Sequence, residues 1–425
     1  MSKLYDENIS HVSPVWSRIF SIEAERAEGC YIYAVDGRKY LDFTCGIGVT
    51  NTGHCHPKVV EAIREQAGLF LHAQTNIVVH QPLLKLIAEL RTVVHPSIDS
   101  FFFSNSGAEA IEGSVKLARN ATGKPNVIVF QGSFHGRTSA TMALTTSKTI
   151  YRSGYQPLPA GIFVAPYPYA YKLGMSDEKT TEYCLGQLEE MMVSLTAPSE
   201  TAAVLIEPVL GEGGYVVPPA AFLKGLRTFC DRHGILLIMD EVQSGFGRTG
   251  KWFAQEHSGV VPDIMTVAKG IASGLPLSGV FSRTDLMKKW VTGSHGGTFG
   301  ANVVACAAGV ATIQAMREED MPGNAARRGV QLMTGLAKLQ EQYSVIGDVR
   351  GQGLMIGTEF TVNHKPADKA LVKKVVHESE ERGLLLLTCG TYDNVIRWIP
   401  PLVVSEQQVN DALGIFSEAL EKSIG

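Results

Sequence analysis

Short apolar runs punctuated by Gly and Pro recur along this chain, and two of them organise its reading. Ile235 to Met239 is apolar and leads into Asp240; Ile264 to Ala268 is apolar and leads into Lys269. Runs of this length, rich in β-branched residues and bounded by turn formers, predict buried strands. Ala203 to Ile206 is a third. Pro218 and Pro219 then start a helix whose apolar face is Phe222, Leu226, Phe229 and Cys230, and Gly234 stops it. Strand, helix and strand in succession predict parallel pairing in a sheet covered on both faces. Further strands are predicted at 101–106 and 127–134. A helix opens at Gly107 with Ile111, Val115 and Ala118 at helical spacing, and Ser106 with Glu109 matches a capping box.

The flanks read differently. Residues 1–50 predict an irregular arm and then a hairpin turning at Asp36-Gly37. A helix is expected after Pro57, with Val60, Ile63, Arg64 and Ala67 on one face. Residues 138–200 carry little pattern; Tyr151, Tyr155, Tyr167 and Tyr169 suggest a long excursion lining a pocket or an oligomer face. The turn 297–300 precedes a helix of small residues from Ala301 to Gln314. Beyond it, helical and strand patterns alternate, with strands at 345–360 and 384–404 around a helix at 367–382. This α+β pattern predicts a second domain.

The length of 425 residues fits two or three domains. Hydrophobic residues at 45% and charged residues at 19% place the chain among globular proteins. A net charge of −4 gives no general pull toward nucleic acid or an anionic membrane. The seven cysteines form no C-x-x-C pair, which fits a reducing cytoplasm. The first residues lack the apolar core of a signal peptide, and no apolar run approaches the roughly 18 residues of a membrane helix. His54 and His56 lie in a Gly-rich loop without further spaced ligands, so no metal site is expected.

In open α/β sheets ligands sit beyond the carboxyl ends of the strands. Asp240 and Lys269 are therefore expected at one crevice. That pair suits pyridoxal phosphate, with Lys forming a Schiff base and Asp facing the pyridinium nitrogen; the alternative is a surface Lys and a helix-capping Asp. Ser106 to Ala108, at a strand-to-helix turn, form an anion site or a plain cap. Phe134 and His135, in a Gly-flanked turn, could cover a flat ring or pack in the core. Gly245 to Gly250 matches G-x-G-x-x-G, a dinucleotide signature. Against that reading, no apolar-periodic helix starts at Gly250. No strand ends on an acid about 20 residues later, and the motif is not in a first βαβ unit.

Together these segments resemble the class III (ω-amino acid) aminotransferases of fold type I, and most closely the 4-aminobutyrate aminotransferases. The matching stretches are Gly46–Pro57, Ser104–Ala110, Phe134–Thr138, Glu207–Gly214, Asp240–Gly250, Thr266–Gly270, Gly297–Phe299 and Ile396–Arg397. The resemblance implies an α/β fold: a large domain with a mostly parallel sheet sandwiched by helices, and a smaller α+β domain built from both termini. Residues 1–56 form an arm and hairpin, 57–305 the cofactor domain and 306–425 the C-terminal small domain.

The resemblance also implies roles. Lys269 would hold pyridoxal 5'-phosphate as an internal aldimine, and Asp240 would keep the ring nitrogen protonated. Val242 and Phe134 would cover the two ring faces, Gln243 would meet the ring hydroxyl oxygen, and His135 would stand behind. Ser106, Gly107 and Ala108 would take the phosphate, joined by Thr298 of a second subunit, which implies a homodimer or a dimer of dimers. Arg137 and Arg397 would bind substrate carboxylates, Glu212 would neutralise Arg397 for an ω-amino acid, and Ile47 would add an apolar wall. The expected reaction is ping-pong transfer from an amino donor to a 2-oxo acid acceptor in the cytoplasm. Ornithine or acetylornithine aminotransferases and amino-acid epimerases of the same family are the alternatives.

Overall fold

The structure is a computed structural model and describes residues 1–424. The N-terminal arm contains a short helix, Lys3–Asn8, and then strand β1 (Ala24–Glu28), neither of which the irregular-arm reading anticipated. β2 (Tyr31–Ala34) and β3 (Lys39–Asp42) form the expected antiparallel hairpin, with Ile32 opposite Tyr40.

The central sheet has seven strands. They are β4 (Ser100–Ser104), β5 (Asn126–Phe130), β6 (Ile162–Ala165), β7 (Thr201–Ile206), β8 (Leu236–Asp240), β9 (Ile264–Val267) and β10 (Ser278–Ser282). Their spatial order is β4-β10-β9-β8-β7-β5-β6, parallel throughout except for β10, which runs against both neighbours. Alternate side chains leave by opposite faces, as the pleat requires. Ile128, Phe130, Val204 and Ile206 pack with residues of helices Asp177–Ser194 and Ala220–His233. Val127, Val129, Ala203 and Leu205 pack with residues of helix Gly107–Thr122. Both faces are thus dry, which explains the near-continuous apolar character of the strands.

β11 (Ile346–Gln352), β12 (Met355–Val362), β13 (Lys365–Pro366), β14 (Leu384–Leu385), β15 (Leu387–Cys389) and β16 (Val395–Trp398) follow. Four of them make an antiparallel sheet in the order β11-β12-β16-β15, with β13 beside β12. β14 instead pairs in parallel with β3, so residues from both ends of the chain share a sheet. Helices Lys369–Glu381 and Glu406–Ile424 contribute Val372, Val375, Val409 and Phe416 to the adjoining core.

Two local expectations need correction. Helix Pro57–Leu69 buries Val59 and Gln66, while Arg64 and Ala67 are exposed. The helix packs on Val303–Glu318, and that contact turns the buried stripe one residue from the predicted one. The long excursion expected over 138–200 does bring Tyr151 to a pocket, but it also holds β6 and the 18-residue helix Asp177–Ser194, which the sequence pattern does not announce. That helix buries Thr180 and Cys184 among Leu188, Met191 and Met192, so its inner face looks half polar in sequence.

The Gly245–Gly250 motif is a run of turns, and no helix starts at Gly250. Its centre, Arg248, is fully buried. Arg248 Nη1 donates to the carbonyls of Leu354 (3.1 Å) and Pro400 (2.5 Å), and Nη2 to Asn51 Oδ1 (2.8 Å). The Gly247 backbone at φ 82° lets the turn form; a Cβ there would stand 2.7 Å from Leu402. The motif therefore ties the loop after β8 to the C-terminal strands. His54 and His56 are occupied by Asp42 and Glu319, at 2.8 and 2.9 Å. No helix among the described residues is long and apolar enough to cross a membrane.

Candidate active site

A cavity of about 930 Å³ opens at the carboxyl ends of the central strands. Five strand ends contribute to it: Ser106 to Ala108 after β4, Phe134 to Arg137 after β5, Glu207 and Glu212 after β7, Asp240 to Gln243 from β8, and Lys269 after β9. Ile47 and Arg397 approach from the sheets built by the chain ends. Every predicted site residue except Thr298 lines this one cavity. Thr298 is exposed in the turn before helix Val303–Glu318 and lies outside the lining.

Asp240 is buried, and its carboxylate is aimed by three neighbours. Oδ1 accepts from Val242 N at 3.0 Å and from Thr266 Oγ1 at 3.5 Å; Oδ2 accepts from His135 Nδ1 at 2.7 Å. His135 Nε2 is buried and has no partner among the described residues. Lys269 faces the same space. Its backbone sits at φ 47°, in the left-handed region that a side chain tolerates poorly. Burial depresses the Lys269 amine below the usual range, although Asp240 and Glu207 pull the other way.

Glu207 opens one of the matching stretches, and neither the motifs nor the resemblance gave it a role in the site. Its Oε1 accepts from Phe134 N at 2.8 Å and its Oε2 from Gly211 N at 2.7 Å, so it joins the turn after β5 to the loop after β7. Burial pushes its carboxyl up to about 7, and Asp240 adds to the effect. A signal existed: Glu207 follows an apolar strand directly, as Asp240 and Lys269 do.

At the other end of the cavity Arg397 Nη1 donates to Glu212 Oε2 at 2.8 Å. Burial alone would raise the Glu212 carboxyl, but Arg397 and Lys148 hold it below its ordinary value. Tyr151 Oη donates to Glu212 Oε1 at 3.1 Å. Arg137 lies with its guanidinium 4.5 Å from the Tyr151 ring centroid and has no carboxylate partner among the described residues. One arginine is thus neutralised and the other is open to an anion. Lys148 and Asp393 also line the cavity and carried no usable sequence signal.

The donor set fits pyridoxal phosphate. The N–H groups of Gly107 and Ala108 have no partner among the described residues and open a 16-residue helix, a place for a phosphate. Gly107 has no side chain where a Cβ would stand 3.0 Å from Val242, so the backbone there is free to approach a ligand. The Ser106 hydroxyl is engaged with Glu109 in the predicted capping box. Gln243 keeps a buried, unpartnered amide oxygen at the cavity wall. Phe134 and Val242 supply apolar groups to the same lining.

Comparison with known proteins agrees with this geometry. The family model described as aminotransferase class-III matches residues 12–420. The chain is 41% identical over 409 residues to a 5-aminovalerate aminotransferase of Pseudomonas aeruginosa, covering 95% of each chain. It is 39% identical to a 4-aminobutyrate aminotransferase of Escherichia coli, covering 96% of this chain and 95% of that one. An amine transaminase from an uncultivated Pseudomonas species, solved in a pyridoxal phosphate-bound form, superposes with a TM-score of 0.90 at 31% identity, covering 97% of both chains.

Proposed function

The chain belongs to the class III aminotransferases, which use pyridoxal phosphate, and we propose that its donor is a linear ω-amino acid of the 4-aminobutyrate or 5-aminovalerate kind and its acceptor a 2-oxo acid. One observation carries the substrate reading: Glu212 neutralises Arg397 at 2.8 Å while Arg137 stays open. A donor whose reacting carbon bears no carboxylate needs no cation beside that carbon. Its distant carboxylate needs one, and Arg137 offers it. A 2-oxo acid carries a carboxylate next to the reacting carbon and requires Arg397 to be uncovered. The two substrates need different settings of one pocket, so the first product leaves before the second substrate enters, which gives ping-pong kinetics.

Pyridoxal phosphate, when bound, supplies an electron sink next to the reacting carbon. In this reading the other steps belong to the chain. Asp240, aimed by His135, holds a proton at the ring nitrogen. Lys269 Nζ, desolvated and readily neutral, would take the proton from the amine-bearing carbon and carry it across the amine nitrogen. Gly107 and Ala108 N–H groups would hold the phosphate, Phe134 and Val242 would cover the ring, and Gln243 would meet its hydroxyl oxygen. Ile47 and the aromatic wall exclude water from the donor chain.

The same reading makes the working unit a homodimer in the cytoplasm. Leu69, Leu71, Ile77 and Phe299 are 76, 63, 79 and 61% exposed. The two stretches that carry them touch: the His72 and Phe299 rings stand 5.3 Å apart, and Asn302 Nδ2 donates to Leu71 O. A second copy would cover this apolar patch and receive Thr298 into its phosphate site. Residues 57–305 are taken as the cofactor domain, with 1–56 and 306–425 as the small-domain parts; the pairing of β14 with β3 supports that grouping.

The test is the absorbance of the purified holoenzyme after single additions of 4-aminobutyrate, 5-aminovalerate, L-ornithine and L-glutamate. Bleaching of the yellow band by the first two without any oxo acid is expected. Bleaching by ornithine alone would overturn the substrate reading. A persistent band with solvent deuterium entering the α-carbon of an amino acid would point to epimerisation.

A further inference from the structure

The Glu212 carboxylate is held from two sides at once. Oε2 accepts from Arg397, while Oε1 faces Lys148 Nζ at 3.5 Å and Tyr151 Oη at 3.1 Å. Lys148 is itself fixed by Asp393 Oδ1 at 2.5 Å, from the turn between β15 and β16. Lys148, Glu212 and Arg397 side chains are all largely buried. The Glu212 backbone cannot travel far: its carbonyl accepts from Gly390 N at 2.9 Å. Uncovering Arg397 is therefore a side-chain swing about a fixed backbone.

Such a swing removes a charge-assisted hydrogen bond from a carboxylate with little water to replace it, which is costly unless another cation takes over. Lys148 is already at the far oxygen. We propose that Lys148 is the latch that receives Glu212 when Arg397 is released to an α-carboxylate, and so sets the affinity for the 2-oxo acid and its α-amino acid. It is a positioning residue, acting through Glu212. Lys148 shares Glu212 with Arg397 in the closed setting, at 3.5 Å, and would hold it alone and more closely in the open one. Only that difference moves the equilibrium between the two settings. Asp393 keeps Lys148 from following Glu212 toward Arg397, and Tyr151 Oη guides the same oxygen.

The inference rests on the two-substrate reading above. Single-turnover kinetics of wild type, Lys148→Met and Lys148→Arg holoenzymes separate the two. Each is mixed with 4-aminobutyrate or L-glutamate, and the concentration dependence gives an apparent Kd for each amine. Lys148→Met is expected to weaken L-glutamate about tenfold and 4-aminobutyrate less than about twofold, the size of one partly buried charge coupling. Lys148→Arg should recover most of the loss. In a Glu212→Gln background, where no charge needs a latch, Lys148→Met should change neither amine. Equal losses on both amines, failure of Arg to rescue, or the same glutamate loss in the Gln background would each overturn the latch; the last would mean direct binding of substrate by Lys148. If wild type turns over neither amine, the substrate reading fails first and the latch with it.

Discussion

His135 Nδ1 meets Asp240 Oδ2 at 2.7 Å, and the two side chains come from different strand ends, after β5 and on β8. In the role proposed above for Asp240, the histidine would hold the carboxylate toward a protonated ring nitrogen. A His135→Phe substitution keeps the volume and removes the hydrogen bond. A bond to a charged group is worth about 1.5–3 kcal/mol, so cofactor affinity should fall by about tenfold or more. Titration of the apoenzyme with pyridoxal phosphate, followed by absorbance, measures it; an unchanged affinity would show that the β8 backbone alone aims Asp240.

Lys269→Ala should lower turnover by at least about 10²-fold, the lower end for a lost proton-transfer group. Part of that loss should return when a small primary amine is supplied in the buffer. Rates measured with and without added methylamine check both statements.

Glu212→Gln should damage the two half-reactions unequally. The ω-amino donor should lose about tenfold in rate over affinity, because an uncovered Arg397 then stands beside the reacting carbon. The α-amino acid half-reaction should change much less. Equal losses would indicate a permanent structural ion pair.

The raised carboxyl of Glu207 predicts a pH dependence of stability. The folded chain keeps its proton up to about 7, whereas the unfolded chain releases it near the ordinary value of 4.5. The native state therefore binds more protons between these values, and this contribution to stability declines as pH rises through that window. Glu207→Gln removes the slope. The melting temperature of the variant relative to wild type should rise between pH 5 and pH 8; parallel melting curves across that range would contradict it.

Arg248→Met should lower stability by about 3 kcal/mol or more. It leaves the Leu354 and Pro400 carbonyls and Asn51 without a donor in a dry interior, at about 1–3 kcal/mol for each unsatisfied group. Urea unfolding of the two proteins gives the difference.

Much of this was legible in the chain because strand ends are. Asp240, Lys269 and the Ser106–Glu109 cap stand where a short β-branched run stops, and local pattern is enough to find such places. The parallel unit from Thr201 to Asp240 was readable for the same reason. Lys148 and Tyr151 were not. They reach Glu212 from 61 or more residues away in sequence, through a segment whose helix buries Thr180 and Cys184 and so hides its own period. The face of helix Pro57–Leu69 was misread because its partner, Val303–Glu318, lies far along the chain and decides the rotation. Gly245–Gly250 imitates a nucleotide loop, since a tight turn around a buried arginine needs the same residue that a phosphate loop needs.

The positive φ of Lys269 carries one more consequence. A side chain in the left-handed region costs about 1–2 kcal/mol, and a desolvated amine adds to it. Folding alone would favour glycine at this position. In the role proposed for Lys269, chemistry and durability are opposed at one residue, and stabilising screens run on the apo form would select against it.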